Sequence, residues 1–481
     1  MTKTLVLLPN QLFKTHSVEF DQIILYEHPK FFTHYNYHKA KLVFHRATMK
    51  AYYDMMKKKY NIKYVNYDDT LKLKGEIIIY DPVDFEIESE FKKYKNITIL
   101  ESRLFILTNS EIEEYIHSEL KPYFNATFYK WIRTKKNILM KGEKPLGGKW
   151  SFDVENRLPF KTNYKEDELK YTNNTYIKEA KKYVEKNFKD NIGEPNIFLP
   201  VTHREAFVYL ENFLKSKLNN FGPYEDAISS DVKIGYHSAI SGLLNIGLLD
   251  PMEVIQKAIS LKSTKIESLE GFVRQIISWR EYVRLLYIRE HTKFNKMNFL
   301  KHTNKLSKVW YTAQTGIIPV DNVIKKALDI SYCHHIERLM ILGNFMLLCQ
   351  IKPSDVYKWF IEVVSIDAYE WVMEPNVYGM SQHSVGQLMM NRPYYSSSNY
   401  ILKMSNYKKS DKFEKIKLKT EEYEWYEIFD ALYYNFIDKH KTYLKGIYAT
   451  ANSVSIFNKK SESEKKRLKN ISKLYINNYL E

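Results

Sequence analysis

Two cysteines in 481 residues, Cys333 and Cys349, are too few for a four-cysteine cluster or a cysteine-rich zinc site. Both stand in apolar surroundings and are expected as reduced, buried thiols of an intracellular protein. No run of eighteen uncharged apolar residues occurs, so no membrane span is predicted. The N-terminal MTKTLVLLPNQLF has a short apolar run ended by Pro9 and Asn10 and no small-residue cleavage site. It reads as a buried first strand rather than a signal peptide. No GxGxxG follows that strand, which excludes the ordinary dinucleotide fingerprint, and no internal repeat is found.

What is present is length, charge and an apolar core. A chain of 481 residues predicts two or three domains, and 44% hydrophobic residues can fill them. The 27% charged residues suit a soluble surface, and the formal net charge of +16 favours polyanions through phosphate contacts and counterion release. The abundance of Lys, Asn, Ile and Tyr has a second reading, the codon bias of an AT-rich genome. Charge alone does not separate nucleic-acid binding from a generally basic surface.

The first third alternates strand and helix: TLVLLP, QIILYE, the helical KLVFHRATMKAYYDMMKKKY, then IKYVNY, GEIIIYDP and ITILES. This predicts an α/β domain over 1–130 with a parallel, doubly wound, Rossmann-like sheet. Such sheets bind ligands at the carboxyl ends of their strands, where Asn10, Gln11, Glu27 and Asp81 stand, either lining a pocket or capping turns. A polar connector with one amphipathic helix is expected over 131–200. The rest, 201–481, reads as all-α, with Phe207, Leu210 and Leu214 at helical spacing and helices over 252–263, 268–291, 321–351 and 353–364. The Lys-dense stretch 403–419 and the tail KKSESEKKRLKN read as exposed, either phosphate-facing or simply solvated.

The chemistry concentrates in Ser331–Gln382. The pair His334–His335 in SYCHHIERLMILGNF, followed by DAYEWVMEPNVYGMSQ, suggests a site that moves protons, and Trp359 and Trp371 can stack or carry electrons. In GYHSAISGLLNIGLLDP, Ser238 and Ser241 can hydrogen-bond a diphosphate at a helix start, or merely begin that helix. In GFVRQIISWREYVR, Trp279 and Arg280 form either a site pair or a core aromatic with a surface ion.

Taken in order, KPLGGKWSFDVENR, FGPYEDAIS, HSAISGLLNIGLL, FVRQIISWREYVR, CHHIERLM, DAYEWVMEPNVYGMSQ and PYYSSSNYILKMS resemble the photolyase/cryptochrome superfamily. Within it they are similar to the prokaryotic (6-4) photolyase branch, whose members usually carry an iron–sulfur cluster. The resemblance spans roughly the whole chain and is weakest in the first 130 residues. It implies FAD bound non-covalently and folded back in the helical domain. Ser238 and Ser241 match diphosphate contacts, Arg280 a contact on the flavin side, and Asp367 and Asn376 positions close to the flavin ring. Trp279 and Met380 match residues facing the lesion, and Tyr394 and Tyr400 match tyrosines near its pocket. His334 and His335 match the family's paired histidines. Neighbours on a helix point about 100° apart, so His335 is assigned the proton chemistry and His334 a mainly structural role. The implied activity is light-driven repair of UV-damaged DNA by a monomeric photolyase acting on a flipped-out pyrimidine dimer. The histidine pair favours the (6-4) photoproduct over the cyclobutane dimer. A cryptochrome-like blue-light sensor and a nucleic-acid-binding flavoprotein without photochemistry are the rival readings.

Three departures from the branch stand out. Its four cluster cysteines fall at Pro319 and near Lys408, Asp411 and Glu427, so no iron–sulfur cluster is expected, and Tyr423, Trp425, Tyr426 and Phe429 are expected to pack in its place. In its electron route, Trp359 is kept, but Phe360 replaces a tyrosine and Tyr311, beside Trp310, replaces a tryptophan. Asn10 and Glu27 stand where a lumazine-type antenna would be held, with Asn10 in place of an aspartate.

Overall fold

The computed structural model describes residues 2–118, 123–153 and 157–479, so residues 154–156 of the KPLGGKWSFDVENR motif lie outside the described residues. The α/β half is a five-stranded sheet. Its strands are β1 (Lys3–Leu7), β2 (Gln22–Tyr26), β3 (Ile62–Val65), β4 (Glu76–Tyr80) and β5 (Ile97–Leu100). The order is β3-β2-β1-β4-β5 and every pairing is parallel, as the strand–helix alternation predicts. The central strands β1, β2 and β4 are buried along four of their five residues because helices cover both faces, whereas β3 and β5 are only partly buried at the edges. The helix Lys39–Met56 lies under the sheet, and the connector's amphipathic helix Thr175–Asn187 packs on its outer side, tied by Arg46 to Glu179 at 2.8 Å.

Among the described residues after 200 the regular elements are helices, apart from the short hairpin Ile416–Leu418/Glu421–Tyr423 and a lone bridge from Asn304 to Ile351. The two halves meet through buried polar groups as well as apolar contacts such as Phe105 on Trp371 at 4.8 Å. Glu281 has no exposed surface and accepts from the Ile106 N–H at 2.9 Å. His38 N–H donates to Glu362 O at 2.9 Å, and Lys30 pairs with Glu370 at 2.8 Å. Among the described residues no helix is long and apolar enough to cross a membrane.

One expected helix is not continuous. The stretch 321–351 breaks at Ser331, whose φ of +56° ends the helix Ile318–Ile330. The chain restarts at His335 and runs through a widened π-type segment, Glu337–Gly343, into Asn344–Leu348. The apolar residues carry on across the break, so their spacing does not betray it. The stretch 268–291 is likewise interrupted by the π-type segment Gln275–Arg280, and a further one spans Pro375–Ser381. Widened turns of this kind re-aim side chains and concentrate at functional sites.

The positions matched to cluster cysteines do ordinary structural work. Pro319 opens a helix, Lys408 N–H donates to the Asp411 carboxylate at 2.7 Å to close a turn, and the Glu427 carboxylate accepts from Glu424 N–H at 3.1 Å to cap the helix Trp425–Lys445. Trp425 is buried between Tyr407, at 6.3 Å, and Phe429, which stacks on Phe345 at 5.2 Å. Tyr423 is also buried, whereas Tyr426 remains half-exposed. Trp425→Ala is expected to cost about 3–5 kcal/mol in urea unfolding, the range for emptying a buried aromatic site. A loss under about 1 kcal/mol would show that the region collapses without it.

Candidate functional site

The three π-type segments, the loop 236–241 and the turn at 366–368 enclose a cavity of about 300 Å³ in the helical half. Ser238, Ser241, Trp279, Arg280, His335, Asp367, Asn376 and Met380 all line it. These residues lie up to 142 positions apart in the chain (380 − 238), so the fold, not local sequence, assembles them. Phe360, Leu339, Met373 and Val377 supply apolar wall.

At its centre Arg338 grips Asp367 with two bonds of 3.0 Å, and its Nε donates to Cys333 O at 2.7 Å. Neither Arg338 nor the wall residue Trp371 with its indole N–H was assigned a place in the pocket by sequence reasoning. No spacing rule pairs an arginine with an aspartate twenty-nine residues away. The hydroxyl of Ser241 donates to Asp367 at 2.5 Å, so its proton is committed to the carboxylate. Of the two serines matched to diphosphate contacts, Ser238 alone has its hydroxyl free among the described contacts. Asn245 bridges the site, donating to Asp367 O at 2.8 Å and accepting from Arg280 at 3.0 Å. Arg280 lies over the rings of Phe105 and Trp371, at 4.5 and 4.7 Å. Burial, opposed by Glu281, lowers its pKa to about 10, which leaves it a cation at neutral pH. Asn376 spends its N–H₂ on Val372 O at 2.7 Å and keeps its carbonyl. Three lining side chains carry a buried polar atom with no protein partner: Arg280 Nη1, Trp371 Nε1 and His237 Nε2.

The two histidines of the pair part at the helix start, with His335 opening onto the cavity and His334 lying behind its wall. His335 has open surface facing the cavity and makes no side-chain hydrogen bond among the described residues. His334 is buried and stacks face to face on His237, with centroids 4.3 Å apart and planes 11° apart. Its Nε2 lies 3.4 Å from Glu337, which is ion-paired to Lys326. His237 is thus a third histidine of the site, unseen in the sequence because only its serine neighbours looked chemical.

The remaining candidates stand outside the lining. Tyr394 and Tyr400 are half-buried; Arg392 lies 5.1 Å over the Tyr394 ring, and burial next to Asp226 raises Tyr400. Trp359 and Trp310 are fully buried and joined by a 2.9 Å bond from the Trp359 indole to Trp310 O. Trp359 reaches the cavity only through Phe360, edge-on at 5.2 Å, and Tyr311 is half-exposed at the outer end. In the α/β half, Asn10 is buried and donates to Pro82 O at 3.2 Å. Glu27 has no exposed surface, and its carboxylate already accepts from Arg46 (2.8 Å), Tyr64 (2.5 Å), Tyr183 (2.8 Å) and Tyr67 N–H (3.2 Å). Four protein donors thus converge on the Glu27 carboxylate.

Burial depresses the two enclosed histidines: His237 and His334 both fall well below the usual 6.5, by burial first. Below 6.5 the unfolded chain therefore binds protons that the folded chain refuses, and stability falls as pH drops through that window. Calorimetry should show a melting midpoint that is level above pH 7 and declines from pH 6.5 towards 5, with a shallower decline in His334→Gln. A midpoint independent of pH between 7 and 5 would contradict buried neutral histidines.

Comparison with known proteins agrees with this geometry. Residues 5–199 match the family described as "Deoxyribodipyrimidine photo-lyase-related protein". The chain is 31% identical over 469 residues to a (6-4) photolyase of Agrobacterium fabrum, covering 92% of this chain and 91% of that one. Its fold is similar to a bacterial class III photolyase from Agrobacterium tumefaciens, with a TM-score of 0.51, 14% identity, and 84% and 86% of the two chains covered. It is also similar to a Synechocystis cryptochrome, with a TM-score of 0.52, 10% identity, and 97% and 93% covered. A parallel sheet joined to a helical half, a cavity assembled by widened turns in that half, and a relative matched over nine-tenths of both chains identify this chain as a member of the photolyase/cryptochrome family.

Proposed function

We propose that the cavity holds FAD and that the protein is a light-driven photolyase for pyrimidine dimers in UV-damaged DNA, acting on the (6-4) photoproduct in preference to the cyclobutane dimer. The donor set favours this cofactor. A flat apolar wall of Phe360, Leu339, Met373 and Val377 suits a ring system, and the unpartnered atoms of Arg280, Trp371 and His237 suit a ligand with several acceptors and donors. When bound and reduced, FAD would supply under blue light the electron that splits two dimerised pyrimidines. The protein's task is positioning. The Arg338–Asp367 pair and Arg280 orient the ring, Ser238 lies at the expected diphosphate position, and Trp279 and Met380 face an extruded lesion, which flips readily because its pairing is already damaged. The excess of positive charge supports a DNA partner through phosphate contacts.

The observation that carries the (6-4) preference is His335, an imidazole facing the cavity with no side-chain hydrogen bond among the described residues. Oxygen transfer in a (6-4) lesion requires a proton to move, whereas splitting a cyclobutane dimer requires only the electron. Open to the cavity, the His335 imidazole can accept that proton at one ring nitrogen and donate from the other. Tyr394 and Tyr400 at the rim are proposed to steady the lesion from outside the cavity. Trp310, Trp359 and Tyr311 form the proposed route by which electrons reach the cofactor, slowed at Phe360, whose ring is a poor relay.

Light-dependent restoration of absorbance in UV-damaged oligonucleotides tests this reading. Reduced wild-type protein should repair (6-4) lesions. His335→Ala should slow that repair by about 10²-fold or more, the usual loss for a proton-transfer group, while cyclobutane repair stays mostly intact. Equal loss on both lesions would remove the proton role from His335. No restoration of either would favour the light-sensor reading.

A further inference from the structure

The connector carries a device that bears on the cavity from outside. Residues 157–172 have no regular secondary structure and are largely exposed, yet they are pinned at a few points to the two chain segments forming one end of the cavity wall. Leu158 N–H donates to Pro223 O at 3.1 Å. The Phe160 ring stacks on Tyr164 at 4.7 Å with planes 8° apart, and lies 6.2 Å from Tyr224 and 6.0 Å from Tyr236. Tyr224 sits between the lining residues Phe221 and Glu225, and Tyr236 directly precedes the lining residues His237 and Ser238.

The strongest pin is Glu166. Its side chain is only 11% exposed, although most of its neighbours in the connector are exposed. Its carboxylate accepts from three successive backbone N–H groups: Lys233 at 2.7 Å, Ile234 at 3.1 Å and Gly235 at 2.7 Å. Three consecutive amides converging on one anion form a concave donor nest, and bonds to an ionised acceptor are about twice as strong as neutral ones. Gly235 takes φ of +64° to make the nest, and a Cβ there would stand 2.8 Å from the Phe160 ring, so strap and loop fit only as a pair. Lys217 closes the arrangement, 3.6 Å from Glu166 and donating to Gly235 O at 2.8 Å.

We propose that Glu166 is the positioning residue of the cofactor loop: it holds 233–238 in the shape that presents His237 and Ser238 to the bound nucleotide, and the strap 157–172 lifts off that loop when the cofactor enters or leaves. This rests on the reading of the cavity as a flavin dinucleotide site. Between its start and its tether to the rest of the chain at Tyr171 and Thr172, the strap is held mainly by Leu158, Phe160 and Glu166. It also buries little apolar surface. It suits the role because these are the conditions under which a segment opens locally while the rest of the fold stays closed. The lining residues do not change when it lifts; only the backbone beneath two of them is freed.

The test compares FAD release, read as recovery of free-flavin fluorescence, and FAD uptake by flavin-free protein in the wild type, Glu166→Gln and the exposed-residue control Glu168→Gln. Glu166→Gln keeps the shape and loses the charge. It should release FAD about tenfold faster, the effect of weakening charge-assisted bonds by about 1.4 kcal/mol, with uptake no slower than in the wild type. Glu168→Gln should match the wild type in both rates. Hydrogen exchange of the Lys233, Ile234 and Gly235 amides should rise in Glu166→Gln alone. Release by Glu166→Gln within twofold of the wild type would overturn the proposal, as would uptake slowed in step with release, the mark of a damaged site rather than an unlatched one. Wild-type protein that takes up no FAD at all would overturn the flavin reading of the cavity and this inference with it.

Discussion

The Arg338–Asp367 ion pair is the constraint around which the cavity is built. Asp367 is buried and Arg338 largely so, so both have given up much of their hydration, and an isolated pair in that position does little for stability. Further bonds support it: Ser241 donates to the Asp367 carboxylate, Asn245 to the Asp367 carbonyl, and Cys333 O takes a third donor of Arg338. The pair thereby fixes the chain break after Ser331 against the turn at 366–368 and joins both to the loop that carries Ser238. Removing either partner would leave a buried charge and release three wall segments together.

The α/β half takes part in this site rather than merely adjoining it. Lys41, on the helix beneath the sheet, is fully buried; it donates to Ala368 O and lies 4.3 Å over the Tyr369 ring. Burial, opposed by Asp367, lowers its pKa to about 7. Phe105, from the loop beyond β5, forms the outer face against which Arg280 and Trp371 pack. The two halves therefore share one polar centre, and the geometry of the cavity depends on their docking.

Sequence reasoning recovered what depends on local periodicity and missed what depends on long-range pairing. The five strands were legible because covered parallel strands are continuous apolar runs, and the connector helix because its apolar stripe has a single face. The break at Ser331 was not, since a serine can adopt the left-handed conformation that ends a helix without interrupting the apolar pattern. Glu27 was correctly placed at a strand end, but in the fold it meets Arg46 and three tyrosine donors converging from two helices and a neighbouring strand. Ser241 is similar: its spacing fits a phosphate contact, and no spacing shows that its hydroxyl also reaches an aspartate 126 residues away. Eight residues of the cavity were nevertheless found, because the resemblance to the family transmits long-range information that spacing cannot.

The most direct measurement of the central claim is the affinity of Arg338→Met for FAD, titrated by flavin fluorescence against the wild type, with near-ultraviolet circular dichroism confirming that the variant is folded. Stranding Asp367 as a lone buried carboxylate should weaken binding by at least about thirtyfold, the lower end of the 2–5 kcal/mol cost of breaking a buried charge pair. Equal affinity in a folded variant would show that the ion pair does not organise the cavity and that the flavin, if bound, is held elsewhere.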